Sequence, residues 1–197
     1  MLYSLNGNYP QVLPFRIRLS DGSTRTEPST FTSEDILSAG YIQVDDEPIP
    51  TENQIVSWSP TTISWIIRDK TPEELQTELN DAKNNRLNYI TECRDKDFNT
   101  LTTNWNGDVW DARETDSTRI ANVLTMIEQA NKQGIPTPPT IDWRTYNDQS
   151  RTLTIAELTQ LGASMFQSQQ VVWYKQAALK DQILAATTVA EVNAVVW

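Results

Sequence analysis

Apolar and polar positions alternate in short runs over the first third of the chain, then settle into a three-and-four spacing. Phe15-Arg16-Ile17-Arg18-Leu19 sets apolar side chains on one face and basic ones on the other, the pattern of a half-buried strand. Ser20-Asp21-Gly22-Ser23 predicts a turn, with Gly22 supplying a positive φ. An extended polar stretch over 24–30 follows. Thr32 or Ser33 can cap a short helix that runs through Leu37 and closes at Gly40. Tyr41-Ile42-Gln43-Val44 returns to strand character, and 45–53 form an acidic, proline-bearing loop. Ile55-Val56-Ser57-Trp58 and Ile63-Ser64-Trp65-Ile66-Ile67 predict a hairpin around Ser59-Pro60-Thr61-Thr62.

The period changes at Thr71-Pro72-Glu73-Glu74. Thr71 is a capping residue, Pro72 suits the first helical turn and Glu74 completes a capping box. The spacing predicts a helix to about Phe98. Leu75, Leu79, Ala82, Tyr89 and Cys93 mark its apolar stripe, Leu87 and Ile90 broaden it, and Arg86 interrupts it. Two readings stand side by side. The helix packs on its own domain, or it is a short coiled coil that joins the halves and forms oligomers.

The second half mixes hairpins and helices. Asn106-Gly107 between 101–105 and 108–112 is a strong hairpin signal. A helix over about 116–133 carries Ile120, Val123, Leu124 and Ile127 on one face and stops at Gly134. Pro136, Pro138 and Pro139 mark a stiff extended connection. Residues 141–145 and 151–153 flank a turn at Asn147-Asp148-Gln149. Thr154-Ile155-Ala156-Glu157 is a capping box opening a long helix to about Leu184, with Leu158, Leu161, Met165, Val172, Leu179 and Ile183 inward. Thr188-Val189-Ala190-Glu191 opens a final helix to Trp197. The expected fold class is α+β, with a small β-rich N-terminal domain (1–70), a connecting amphipathic helix (71–98) and a C-terminal domain of β-hairpins packed with helices (99–197).

Composition narrows the chemistry. The net charge is −10, and Arg16, Arg18 and Arg25, the nearest approach to a basic cluster, are diluted by Asp21 and Glu27. That balance excludes the Lys/Arg footprint of a nucleic-acid binder and disfavours an anionic membrane surface. No apolar run reaches the length of a membrane span, and the first residues lack the basic-then-apolar pattern of a secretion signal. The expected place of folding is therefore a cytoplasm. A single cysteine, Cys93, allows no internal disulfide, and histidine is absent altogether. Ser-His-Asp and Cys-His catalysis, and His-containing or thiolate metal sites, are thus outside its reach.

Carboxylate chemistry remains. Asp108, Asp111, Glu114 and Asp116 lie near Trp105 and Trp110, the best enzyme-like constellation in the sequence. They also occupy a hairpin exit and a helix N-terminus, where negative charge is favoured in its own right, and their spacing does not match a calcium loop. Asp45-Asp46-Glu47 reads as solvated loop, no glycine-rich phosphate loop is present, and Cys93 reads as a small buried hydrophobe. The expectation is a protein that is not an enzyme, with no catalytic residues, no cofactor and no metal. The tryptophans matter more. Trp58, Trp65, Trp105, Trp110 and Trp143 fall on predicted strands; most such rings are core, and any left exposed would be interface anchors or sugar-stacking platforms.

The stretch Leu13-Pro14-Phe15-Arg16-Ile17-Arg18-Leu19-Ser20-Asp21-Gly22-Ser23-Thr24-Arg25-Thr26, with Pro28-Ser29-Thr30-Phe31-Thr32, resembles short bacteriophage tail proteins, among them tail-fibre assembly chaperones and accessory proteins. Trp58, Trp65 and Arg68-Asp69-Lys70-Thr71-Pro72-Glu73-Glu74 extend the likeness. Trp105-Asn106-Gly107-Asp108-Val109-Trp110-Asp111-Ala112, Arg119-Ile120, Asp142-Trp143-Arg144 and Leu153-Thr154-Ile155-Ala156-Glu157-Leu158 resemble a phage domain of unknown function found on tail-fibre-related proteins. The resemblance covers most of the chain and carries over no active-site residues. It implies a structural component or adaptor that binds tail-fibre or baseplate proteins, located in the virion tail and in the host cytoplasm during assembly. Homo-oligomers through helix 71–98 are a further expectation. Two alternatives follow from the same context: an assembly chaperone absent from the mature virion, and a glycan-binding module of a tail fibre.

Overall fold

Four of the five β-ladders join strands that are neighbours in sequence, so most of the sheet structure is local hairpin. The structure, a computed structural model, describes residues 1–197. It is an α+β fold. The chain divides into two units, Met1–Gln76 and Thr77–Trp197.

In the first unit, β1 (Leu2–Leu5) pairs antiparallel with β4 (Tyr41–Val44), Leu2 opposite Val44 and Leu5 opposite Tyr41. The sequence pattern did not mark β1, because the partner that makes it a strand lies some forty residues further on. β2 (Arg16–Arg18) and β3 (Thr24–Thr26) form a hairpin with Ile17 buried between exposed Arg16 and Arg18, as the alternation requires. The Leu19 amide donates to the Ser23 carbonyl at 2.9 Å, and Gly22 takes the expected positive φ of 84°. The polar stretch that follows is not extended throughout. Glu27 adopts a φ of 67°, and Pro28–Thr30 coil into a 3-10 turn whose Thr30 hydroxyl donates to the Glu27 carbonyl at 2.8 Å. Thr32 and Asp35 then form a reciprocal capping box for α1 (Ser33–Ser38). β5 (Gln54–Ser59) and β6 (Ser64–Asp69) make the second hairpin, with Trp58 directly opposite Trp65.

The division between units falls inside α2 (Pro72–Asn99). Thr71 caps it: the Glu74 amide donates to the Thr71 hydroxyl at 3.2 Å, and the Thr71 amide donates to the Glu74 carboxylate at 2.8 Å. Its buried stripe is rotated from the expected one. Ile90 is fully buried, with Leu79, Ala82 and Leu87 packed around it, whereas Leu75 and Tyr89 are exposed. Arg86, read as an interruption, donates to the Asn193 carbonyl at 2.8 Å, while Lys83 donates to the Leu184 carbonyl at 2.8 Å. Those carbonyls belong to last turns of helices, which lack intrahelical donors and attract cations.

The rest of the second unit follows the predicted order. β7 (Thr102–Trp105) and β8 (Asp108–Asp111) pair around Asn106 and Gly107, whose φ values of 52° and 84° give the turn two left-handed residues. α3 (Glu114–Lys132) ends before Gly134. β9 (Thr140–Arg144) pairs with β10 (Ser150–Thr154), and the Thr154–Glu157 capping box opens α4 (Ile155–Ala185). α5 (Val189–Ala194) is capped by Thr188 and stops short of Trp197, whose indole N–H donates to Asp97 at 2.8 Å. One core gathers Trp110, Ala112, Ile120, Leu153, Leu158, Leu161 and Met165; a second gathers Ile90, Ile183, Val192 and Val195. α3 meets α4 closely at Gly162, where an added Cβ would lie 3.0 Å from the Ile120 methyl. No helix is long and apolar enough to cross a membrane.

Candidate functional site

The hairpin register brings Trp58 and Trp65 together with ring centroids 5.2 Å apart at 71°, and the ring of Tyr9 meets Trp65 edge-on at 5.4 Å. Both indole N–H groups are engaged inside the chain. Trp58 donates to the Gly7 carbonyl at 2.8 Å and Trp65 to the Asp45 carbonyl at 3.0 Å. The backbone approach is close: a Cβ on Gly7 would lie 2.7 Å from the Pro60 carbonyl oxygen. This pair organises the first unit, and Trp65 keeps one edge in a cleft shared with Gln43, Asp46 and Pro48.

Trp105, Trp110 and Trp143, the other three candidates among the seven tryptophans, gather at one core. Strand alternation points Trp110 inward to 1% exposure, so it is neither an interface anchor nor a sugar platform. Its N–H donates to the Trp105 carbonyl at 3.0 Å. Trp105 and Trp143 are half-buried and pack on the same core. The sequence reveals residue type; the facing direction that removes Trp110 from the candidates is set by the pleat.

The carboxylates near these rings are held by arginines. Arg151 donates to both oxygens of Asp108, at 2.8 and 3.0 Å, and this grip holds the Asp108 carboxyl below its ordinary range. A general acid needs the opposite displacement. Arg113 bridges Asp111 at 3.6 Å and buried Asp116 at 2.7 Å. Glu114 stands exposed in the first turn of α3. No group of three Cys, Asp or Glu side chains converges as a metal-holding cluster. Cys93 is half-buried on α2, and its hydrogen bond with Tyr89 pushes the phenol upward from its ordinary value.

Two surfaces were not assembled from the sequence, although Asp111, Asp116 and Trp143 of the second were singled out there one by one. One is the outward face of α4. Phe166, Val171, Trp173 and Tyr174 are exposed there, Trp173 lies 5.7 Å from the ring of Phe98 and 5.9 Å from Phe166, and residues 158–174 carry no charge. The charge-free run is visible in the sequence; the inward stripe alone accounted for the helix and hid it. The other is a cleft of about 350 Å³ between the start of α3 and the polar face of β9. Asp111, Arg113, Asp116 and Arg119 form one wall, and Asp142, Arg144, Tyr146 and Asp148 the other.

No curated protein and no solved structure matches the chain. The family described as "Domain of unknown function (DUF4376)" matches residues 81–196, nearly all of the second unit from within α2 to beyond α5, and the chain therefore belongs to that family.

Proposed function

We propose that the chain is a non-enzymatic phage tail protein that binds the tail fibre or baseplate as a structural component or adaptor. The observation that carries this reading is the outward face of α4. A helix on the surface of a strongly acidic protein ordinarily shows charge to water, yet this face presents Phe166, Trp173 and Tyr174 in a run without charge. Large aromatic side chains of this kind dominate protein-binding hot spots. The first unit supports the same reading. Its buried hydrophobic side chains are Ile17 and Leu19, while Val12, Phe15, Leu37 and Ile49 are exposed. The resemblance of residues 13–32 and 58–74 to tail-fibre-associated proteins supplies the context.

The test is the copy number of this chain in purified virions of the parent phage, measured by quantitative mass spectrometry against known tail proteins. A fixed ratio is expected for the natural chain. It should fall for Phe166→Asp and Tyr174→Asp variants that melt at the natural temperature. Absence of the natural chain from virions, with abundance in the infected-cell lysate, would overturn the reading in favour of an assembly chaperone.

A further inference from the structure

The cleft between α3 and β9 has a composition unlike the rest of the surface. Three arginines and four aspartates line it, and nearly every charge already has an opposite neighbour. Arg113 bonds Asp116 at 2.7 Å, Arg119 approaches Asp116 at 4.0 Å, and Arg144 holds Asp148 at 2.9 Å. Asp142 accepts the Thr152 hydroxyl at 2.6 Å. These contacts fix the groups without exhausting them. A guanidinium carries five donors and a carboxylate about four acceptor positions, more than the contacts made here use, and all of these side chains line the cleft.

Two consequences narrow the ligand. A ligand with a full charge would face an opposing group or break one of these pairs. A neutral molecule that both donates and accepts at closely spaced positions uses the spare capacity and disturbs none of them. The second wall also carries an aromatic ring: Tyr146 is 58% exposed, and its backbone is anchored by a 2.9 Å bond from its amide to the Val109 carbonyl. Trp143 lines the same cleft from the core side. A ring face beside fixed donors and acceptors offers a stacking surface and hydrogen bonds at one place.

We infer that this cleft binds an uncharged saccharide unit, with Asp142, Arg119 and Arg144 holding its hydroxyls and the Tyr146 ring lying under its C–H face. The site is distinct from the α4 face and goes beyond the assembly role. It also differs from a platform built on Trp110, which is buried.

The full chain is applied to a glycan microarray that displays neutral and acidic oligosaccharides, and each retained glycan is titrated by calorimetry. Saturable binding to neutral oligosaccharides is expected. Tyr146→Ala and Asp142→Ala should each weaken it by about tenfold or more; Tyr146→Ala should leave the melting temperature unchanged, since its side chain is exposed, whereas Asp142→Ala also loses the bond from Thr152 and its melting temperature is measured beside its binding. Phe166→Asp, on the other surface, should leave it unchanged. Retention of no glycan overturns the inference. So does retention of acidic glycans alone with dependence on Arg119 alone, the signature of an anion site. Binding that survives both Tyr146→Ala and Asp142→Ala places the sugar elsewhere and overturns it equally.

Discussion

The side-chain amide of Gln169 donates to the carbonyl of Ala112 at 2.9 Å and, through the same nitrogen, to the Ser117 hydroxyl at 2.9 Å. Gln169 is 2% exposed in the middle of α4, Ala112 ends the β7–β8 hairpin and Ser117 sits in α3, so one side chain ties three elements. Gln169→Leu keeps the volume and removes the donor from the Ala112 carbonyl, while the Ser117 hydroxyl keeps its 3.0 Å bond to the Glu114 carbonyl. The expected loss is about 1–3 kcal/mol. It should be read as a lower urea midpoint at unchanged slope. An unchanged midpoint would mean that the Ala112 carbonyl finds another donor.

Gly107 offers a test of backbone strain free of packing. Its φ is 84°, and a Cβ placed there meets nothing within 4 Å. Gly107→Ala should cost about 1–2 kcal/mol from the left-handed conformation alone. Gly107→Asn should cost less, because asparagine tolerates that region. Thermal melts of the two variants decide the point: equal losses would contradict a conformational origin.

Glu74 makes the start of α2 sensitive to acid. Its carboxylate takes two bonds from Arg68, at 2.6 and 2.7 Å, and one from the Thr71 amide, and the Arg68 bonds are the larger cause of a shift from 4.5 to about 2. A depressed carboxyl stabilises the fold above its unfolded value and loses that contribution as pH falls through its folded value. The stabilisation should therefore be whole above about pH 4.5 and fade toward pH 2. The melting-temperature difference between the natural chain and Glu74→Gln should shrink across that window. A difference constant from pH 7 to 2 would refute the assignment. Surface exposure of both partners keeps the effect small and salt-sensitive.

The two units should differ in local stability. The hydrophobic cores both lie in the second unit, whereas Ile17 and Leu19 are the buried hydrophobic residues of the first. Amide hydrogen exchange should be faster in β2, β3, β5 and β6 than in α4 around Leu161. Slower exchange in the first unit would show that its hairpins hold without a large core.

Legibility in the sequence tracked how local each signal was. The capping boxes at Thr71, Thr154 and Thr188 and the Asn106-Gly107 turn are each specified within four residues, and each stands where the pattern put it. β1 escaped because strand 41–44 creates it from a distance. The α2 stripe was right at Leu79, Ala82, Leu87 and Ile90 and wrong at Leu75 and Tyr89, because spacing along one helix does not say where its apolar face meets the rest of the fold. For the candidate sites the limit was sharper. Aromatic type named Trp110, and strand alternation buried it. The saccharide cleft left only scattered traces, Asp111, Asp116 and Trp143 among the residues weighed, since α3 and β9 bring its lining together only in the fold.

The neighbour-to-neighbour pairing of the strands bears on how the chain emerges from the ribosome. Hairpins β2–β3, β5–β6, β7–β8 and β9–β10 close over short loops, and β1–β4 is the ladder that must wait for a distant partner. Contacts of short sequence separation form quickly. The β1–β4 ladder can close as soon as Val44 is free, and the β5–β6 hairpin soon after Asp69, long before α4 is made. The second unit is different in kind. α2 finds the carbonyls of Leu184 and Asn193 only once α4 and α5 have been made, so the appearance of those helices, rather than slow sheet assembly, sets the moment at which the second unit locks.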